Sequence, residues 1–433
     1  MQRETLEIWA RLGIGETVAR RGIQWRIGRT YYRGRQLFET HLPSHDEHFP
    51  PFVNISQSEV EELLEARLRA LDVPIHRGHR FTSLTQDGDG VRATFETDAG
   101  EVTHRSSYLV GTDGAHSTVR HAIGMDFAGY TFDDRFLIAD IRADLPFTNE
   151  RHFHFDPPWN RGRQVLIHPQ PDGVWRIDWQ VPPETDADLE RANGGLDRRI
   201  RAVIGTDVPY ELVWVTGYRF SQRIADSFRA GRVFLAGDAA HVMSPFGARG
   251  LNSGIADAEN LAWKLAAGAL LDTYDAERRP AALDNLAATD ATMRFMAPHG
   301  RWHRAWRNLV LRLAPRLGWF RSRVNSGRLA EPATYAVRGP DDPRLRRHGS
   351  VAPDAPLPGG GRLRDRLGSG FVLLVPRPIE APVPVVVIGP SSVYGDDRAW
   401  LVRPDGYIAD SLPLHALGGL EQALQRASGR ALG

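Results

Sequence analysis

Gly231-Arg-Val-Phe-Leu-Ala-Gly237-Asp238-Ala-Ala-His241-Val-Met-Ser-Pro245-Phe-Gly247-Ala-Arg-Gly250-Leu251-Asn252-Ser-Gly254-Ile-Ala-Asp257-Ala-Glu-Asn-Leu-Ala-Trp-Lys264-Leu265 is the stretch whose reading decides the fold. Its apolar start predicts a short buried strand over Arg232–Ala236. Asp238 then places a carboxylate at the strand's C-terminal edge, where open α/β sheets bind ligands. Gly247, Gly250 and Gly254 allow backbone to approach a ligand closely, and Pro245 stiffens the loop. A long helix is predicted over Leu251–Ala267. Its first N–H groups lack partners within the helix, and its positive dipole end faces back toward Asp238. Such a terminus stabilises an anion. A plain strand–loop–helix connection with a capping Asp satisfies the same pattern, and on physical grounds alone the two readings stand level.

Outward from this stretch, the chain alternates strands and helices. Residues 5–20 read as an amphipathic helix ending near Gly22, with Leu6, Ile8, Trp9, Leu12 and Ile14 among charges; this is not a signal-peptide pattern. Gln24–His41 reads as strands. Ser58–Leu71 reads as a helix with the apolar stripe Val60, Leu63, Leu64, Leu68 and Leu71. Strands are predicted over Phe81–Leu84, Val91–Thr97 and Val102–Val110, joined by Asp-Gly and Ala-Gly turns. An aromatic, strand-rich region covers 131–220, with strands at Arg151–Phe155, Gln164–His168, Val174–Gln180 and Glu211–Phe220 and a helix at Asp188–Ile204. Further helices are expected over 272–330. Glu331–Gly361 is rich in Pro, Gly and charge and reads as a boundary; Phe371–Val375 and Val383–Ile388 then suggest a small α/β tail.

Composition narrows the function. With 433 residues, the chain is long enough for two or three cores. A net charge of +1 gives no field toward nucleic acid or anionic membrane. Lys264 is the only lysine, and the arginines are spread along the whole chain, which reads as coding bias rather than a phosphate patch. No cysteine excludes disulfides, thiolate metal sites, cysteine nucleophiles and dithiol redox chemistry, and it fits a cytoplasmic protein. No apolar run spans a bilayer. No metal site is expected.

Three further motifs accompany the opening stretch. Tyr108-Leu-Val-Gly-Thr-Asp113-Gly114-Ala-His-Ser117-Thr-Val-Arg120 reads as strand, turn and helix start, with Ser117 as N-cap. Gln57 opens the 58–71 helix in Gln57-Ser-Glu-Val-Glu61. Leu401-Val-Arg-Pro404-Asp405-Gly406-Tyr-Ile-Ala409 forms a turn in the tail. Taken together, the four resemble the class A FAD-dependent aromatic monooxygenases, the para-hydroxybenzoate hydroxylase-like family. The loop Pro245-Phe-Gly-Ala-Arg-Gly-Leu-Asn252 is most similar to the 3-(3-hydroxyphenyl)propionate hydroxylase group.

The resemblance implies a Rossmann-like FAD-binding domain over 1–130, with 25–55 partly in the substrate sheet. It implies a β-rich, mixed-sheet substrate domain over 131–225, the FAD-binding GD segment over 226–270 and a helical segment over 271–335. A thioredoxin-like tail over 345–433 completes an α/β (α+β) chain. It implies that Asp238 accepts hydrogen bonds from the FAD ribityl hydroxyls and that Pro245 lies by the isoalloxazine. Backbone N–H groups of Gly250, Leu251 and Asn252 would meet the flavin N1–C2=O edge, and Gln57 the ribityl chain. Asp113 would belong to a motif serving both FAD and NAD(P)H, and Arg120 would face the pyrophosphate or else make a surface ion pair. The family normally opens with a βαβ unit carrying Gly-x-Gly-x-x-Gly. This chain reads as beginning after that unit, roughly 40 residues in.

The expected reaction hydroxylates a phenolic ring with NAD(P)H and O2 through a flavin C4a-hydroperoxide. The substrate wall is expected from the 151–220 sheet, with His154, His168, Trp175 and Trp179 as candidates, although core packing is the commoner fate of a Trp pair spaced by four on a strand. No residue is named as catalytic base, and His241 reads as loop packing. A homodimer is compatible with this reading. Two alternatives stay open. One is a related flavin oxidoreductase or halogenase, weakly suggested by Val174-Trp-Arg-Ile-Asp-Trp179 with the wrong spacing. The other is an FAD-binding fragment or non-catalytic remnant.

Overall fold

The computed structural model describes residues 1–42, 48–147, 149–245, 247–296, 300–317, 348–389 and 393–429, with 298, 319, 324 and 332–335 besides. Its largest unit is an eight-stranded sheet. The strands lie in the order His241–Val242, Glu211–Ala225, Phe127–Arg142, Val174–Val181, Gln164–Pro169, Glu150–Phe155, Ile27–Tyr32 and Arg35–His41. Neighbours are antiparallel except Ile27–Tyr32 beside Glu150–Phe155, so the sheet is mixed.

Because side chains alternate along a strand, this sheet has two different faces. Val165, Ile167, Trp175, Ile177 and Trp179 point to one face and are buried with Leu196 and Ile200 of the covering helix Gly195–Ile204. The opposite face carries Phe136, Phe153 and Phe220 beneath Met293 of the helix Thr273–Met296. Toward one end of that face stand Arg151, His168, Arg176 and Asp178.

A second, smaller sheet holds the opening stretch. Val233–Leu235 pairs in parallel with Leu109–Gly111 and antiparallel with Arg229–Ala230. Val233, Phe234 and Leu235 are fully buried against Leu261 of the helix Arg249–Ala267 and Tyr274. This is the buried, parallel-sheet environment that an uninterrupted apolar run predicts. Among the described residues, no strand pairs with the other edge of Leu109–Gly111. Arg80–Gln86, Val91–Thr97 and Gly100–Ser106 form an antiparallel meander.

The tail has four strands in the order Val385–Val387, Val372–Val375, Arg398–Val402 and Ile408–Pro413. The first two are parallel and the rest antiparallel, and the helix Leu420–Ser428 packs Leu420, Ala423 and Leu424 onto one face. This is a thioredoxin-like arrangement.

Several element boundaries differ from the sequence expectation. The 5–20 helix is two helices, Arg3–Arg11 and Gly15–Arg21. The chain folds back tightly between them: a Cβ on Gly15 would stand 2.3 Å from the Leu6 carbonyl oxygen. The 188–204 helix is likewise split into Ala187–Ala192 and Gly195–Ile204, because Gly194 takes φ 72°. Val102–Val110 is interrupted before Leu109, and Glu211–Phe220 continues to Ala225. Of the helices expected over 272–330, Thr273–Met296 and Arg301–Leu313 are present; most of Glu331–Gly361 before Gly349 lies outside the described residues.

Candidate functional site

The Val233–Leu235 strand ends in a single 3-10 turn, Gly237–Ala239, entered through Gly237 at φ 61°. Asp238 is exposed there, and no protein group hydrogen-bonds its carboxylate among the described residues. The following helix is pressed against the turn: a Cβ on Gly254 would stand 3.1 Å from Gly237 Cα. Ala248, in the left-handed region (φ 51°, ψ 44°), launches Arg249–Ala267, and no side chain caps that start. The N–H groups of Gly250 and Leu251 in that first turn have no acceptor within the helix and suit a ligand acceptor. Pro245 is exposed, and its carbonyl accepts from Ala248 N at 2.8 Å to close the loop.

Asn252 plays a second part. Its side-chain Oδ1 accepts from Gln2 N at 3.0 Å and Thr5 Oγ1 at 2.6 Å. Gln2 Nε2 donates to the Gly247 carbonyl at 3.1 Å. The loop is thus moored to the first helix.

A buried ion network that the sequence reading did not foresee fixes the loop from behind. Asp257 is fully buried; it accepts from His241 Nε2 at 2.7 Å, Arg278 Nε at 2.7 Å and Gly237 N at 3.1 Å. Arg278 also donates to Tyr335 Oη at 3.0 Å and the Ser253 carbonyl at 3.2 Å. Burial alone would raise the Asp257 pKa, but His241 and Arg278 outweigh it and hold it at about 2. His241 is accordingly a loop-packing residue. The signal was available: Ser253, Asp257, Asn260 and Lys264 recur at helical spacing on the buried side of their helix.

Asp113 and Ser117 build a compact cap. Asp113 accepts from Ser117 Oγ at 2.5 Å and Val119 N at 3.0 Å, and Ser117 Oγ accepts from Arg120 N at 2.9 Å. Arg120 is only 2% exposed. It makes neither a surface ion pair nor an open anion fork: its two Nη atoms donate to the Ala239 carbonyl at 2.8 Å and the Ala115 carbonyl at 2.9 Å, and Phe127 lies against the guanidinium. Arg120 ties the Asp113 loop to the Asp238 turn. Gln57 is the exposed first residue of the helix Gln57–Ala70. That helix shares a core with the Arg3–Arg11 helix and with Leu251 and Ile255, which brings Gln57's element beside the 250–252 turn.

The large sheet sorts the aromatic and histidine candidates. Trp175 and Trp179 face the covering helices and are core. His154 shares their face, stacked on Tyr31 at 4.4 Å. His168 is on the other face, with Arg151 and Asp178, two residues that the aromatic pattern did not single out. Lys264 is sealed away from both regions. Its Nζ donates to Asn260 Oδ1 at 2.8 Å and Glu277 Oε2 at 2.9 Å, which leaves it no place in halogen transfer.

The profile of the FAD binding domain family matches residues 1–289. The 12-dehydrotetracycline 5-monooxygenase/anhydrotetracycline 6-monooxygenase of Streptomyces rimosus is 32% identical over 97% of this chain and 89% of its own length. A 3-(3-hydroxy-phenyl)propionate/3-hydroxycinnamic acid hydroxylase of Comamonas testosteroni is 33% identical over 65% of this chain and 49% of its own. Among solved structures, the anhydrotetracycline hydroxylase from Streptomyces rimosus superposes with a TM-score of 0.78 at 30% identity, covering 100% of this chain and 91% of that one. A ternary complex of aklavinone-11 hydroxylase with FAD and aklavinone gives 0.77 at 25% identity, over 99% and 91%.

Proposed function

This chain belongs to the FAD binding domain family, and we propose that it inserts one oxygen atom of O2 into a phenolic ring using electrons from NAD(P)H. The observation that carries this reading is the pairing of the Asp238 carboxylate, without a protein partner among the described residues, with the uncapped start of Arg249–Ala267. The two fit opposite needs of one cofactor. A carboxylate suits the ribityl hydroxyls, which donate; a helix N-terminus suits the flavin edge, where reduction places negative charge. Gln57 stands at the start of a neighbouring helix and suits the same ribityl chain.

Bound FAD supplies the redox and oxygen-activating chemistry. The chain's own groups hold, orient and shield. Asp257, His241 and Arg278 fix the loop from which Asp238 and the 250–252 N–H groups are presented. Arg120 and Asp113 order the adjoining turn rather than touch the diphosphate. The face of the large sheet that carries Ile138, Phe153 and His168 supplies the wall for an aromatic ring. The relatives act on multi-ring phenols and on a single-ring phenylpropionate, so the substrate proposed is a phenol of either size. The lack of cysteine and the NAD(P)H requirement favour the cytoplasm.

The test is oxygen uptake with NADH or NADPH, FAD and a panel of phenols. The expected result is oxidation stimulated by a phenol, with a product heavier by one oxygen atom. A protein that reduces flavin freely and never oxygenates any aromatic is a reductase, and the reading fails.

A further inference from the structure

Buried polar atoms almost always find hydrogen-bond partners. Toward the Pro169 end of one face of the large sheet, three neighbours do not. Arg151 Nε, His168 Nε2 and Asp178 Oδ1 are shut off from solvent without a hydrogen-bond partner among the described residues. They come from three adjacent strands, Glu150–Phe155, Gln164–Pro169 and Val174–Val181. Arg176 stands opposite His168 in the ladder, but it is committed to Asp140 by two bonds of 2.8 Å. Arg151 and Asp178 are thus left as an opposite-charge set that does not close on itself.

The surroundings give this set a direction. Asn54 Nδ2 donates to the Pro169 carbonyl at 2.9 Å, next to His168. Val53, on the same segment, hydrogen-bonds to Met1, and Gln2 reaches the Gly247 carbonyl of the Asp238-side loop. The strand end that carries His168 is thus tied to the segment that moors the flavin loop. On the same face, Ile138 and Phe153 stand half-buried at the margin of the closed Phe136–Phe220–Met293 cluster and offer apolar surface. One end of the wall suits a ring, and the other presents an N–H fork, an imidazole and a carboxyl group.

We propose that Arg151, His168 and Asp178 form the polar end of the substrate site and select an aromatic ring whose phenolic hydroxyl stands beside a carboxylate or carbonyl oxygen. The hydroxyl donates to Asp178; the neighbouring oxygen accepts from Arg151, with His168 between them. This assignment rests on the aromatic-hydroxylase reading for its substrate class, but recognition is measurable without turnover.

The experiment is titration calorimetry of the FAD-supplied chain with 1-hydroxy-2-naphthoate, 2-naphthoate and 1-naphthol. The first carries both groups; the others lack the hydroxyl or the carboxylate. The wild-type chain is expected to bind the first about tenfold or more tightly than either analogue. Asp178→Leu, which keeps the size and removes both acceptor oxygens, should erase the preference over 2-naphthoate and keep most of that over 1-naphthol. Arg151→Gln should do the reverse. Arg151→Lys, which keeps the charge but loses the planar fork, should restore part of the carboxylate preference and serves if the Gln variant does not fold. Equal affinities for all three probes, no binding of any, or preferences that survive both substitutions in folded protein overturn the proposal. If the preferences hold while no phenol is ever oxygenated, the reaction reading falls and the recognition site stands.

Discussion

At the residue scale, Asp238 and Asp178 are both carboxylates without a hydrogen-bond partner among the described residues, and they differ in how far a ligand can reach them. Asp238 sits at an exposed turn, where a ligand hydroxyl can reach it. A hydrogen bond to a charged group contributes about 1.5–3 kcal/mol, so Asp238→Ala should weaken FAD binding by about tenfold or more with little change in thermal stability. Flavin titration of the apoprotein measures this, and unchanged affinity removes Asp238 from the site. Asp178 is enclosed. Burial pushes its pKa up to about 7, despite attraction from Arg176 and Arg151. A carboxyl group whose folded pKa lies above its unfolded value of about 3.9 favours the folded state at low pH. That contribution is lost as pH rises through about 4 to 7. Asp178→Asn cannot ionise. The variant should therefore gain stability relative to wild type across that window, on the order of a few kcal/mol by pH 8. Thermal melts of both proteins from pH 4 to 8 check it: a stability difference independent of pH means that Asp178 does not titrate there. Asp238 was readable from the sequence because its loop has a distinctive order of glycines. Asp178 was not, because an acidic residue on a strand reads as solvent-facing until the covering elements are known.

At the element scale, the strand–turn–helix around Asp238 was read correctly in type and order, because a continuous apolar run, a glycine loop and a long helix each have their own local cause. The errors fell where glycine breaks a helix without ending its apolar pattern. Residues 5–20 keep an amphipathic period through Gly13 and Gly15, so periodicity alone joined two helices; Gly194 did the same within 188–204. The surface ion pair weighed for Arg120 fails for another reason. Nothing local distinguishes an arginine that faces solvent from one that donates to carbonyls of a loop more than a hundred residues away. The glycine loop also did not separate substrate groups, since relatives acting on tetracyclines and on hydroxyphenylpropionate match at nearly the same identity. The close approach of helix to turn yields a prediction of its own. Gly254→Ala places a methyl group 3.1 Å from Gly237 Cα, and the neighbour is backbone, which cannot swing aside. The helix start must shift by a few tenths of an ångström from the turn that carries Asp238. FAD affinity should fall several-fold with a modest loss of stability, about 1–3 kcal/mol for overpacking. Flavin titration beside a thermal melt decides it; unaltered flavin affinity would show that the turn and the helix start do not act together.

At the scale of the whole molecule, one helix joins the flavin loop to the tail. Arg249–Ala267 spans about 28 Å at 1.5 Å per residue. Its N-terminus faces the proposed flavin site, and its last turns carry Asn260, Trp263 and Lys264 into the tail's Arg403-Pro404-Asp405-Gly406 turn. Arg403 grips Glu277 with both Nη atoms, at 2.8 and 2.9 Å, and Trp263 Nε1 donates to Asp405 at 3.0 Å. Lys264 and Arg403 outweigh burial and hold the Glu277 carboxyl at about 2, with Arg403 the stronger influence. The cysteine-free tail is thus a clamp on the helix end rather than a redox module. Removing one partner of a buried ion pair costs about 3–5 kcal/mol, because the other charge is stranded. Arg403→Ala leaves Glu277 with only Lys264 and Asn260 among the described residues, and Asp405 without its charged partner. We expect the melting temperature to fall on the order of 5 °C, with the tail opening before the rest, so that one calorimetric transition becomes two. The same change should weaken FAD binding several-fold although Arg403 lies at the far end of the helix, since an undocked tail lets the helix start move relative to Asp238. Calorimetry and flavin titration on the same preparation separate the possibilities. If the tail melts early while flavin affinity stays at the wild-type value, the clamp serves stability alone, and the helix start is held entirely by the Asp257 network.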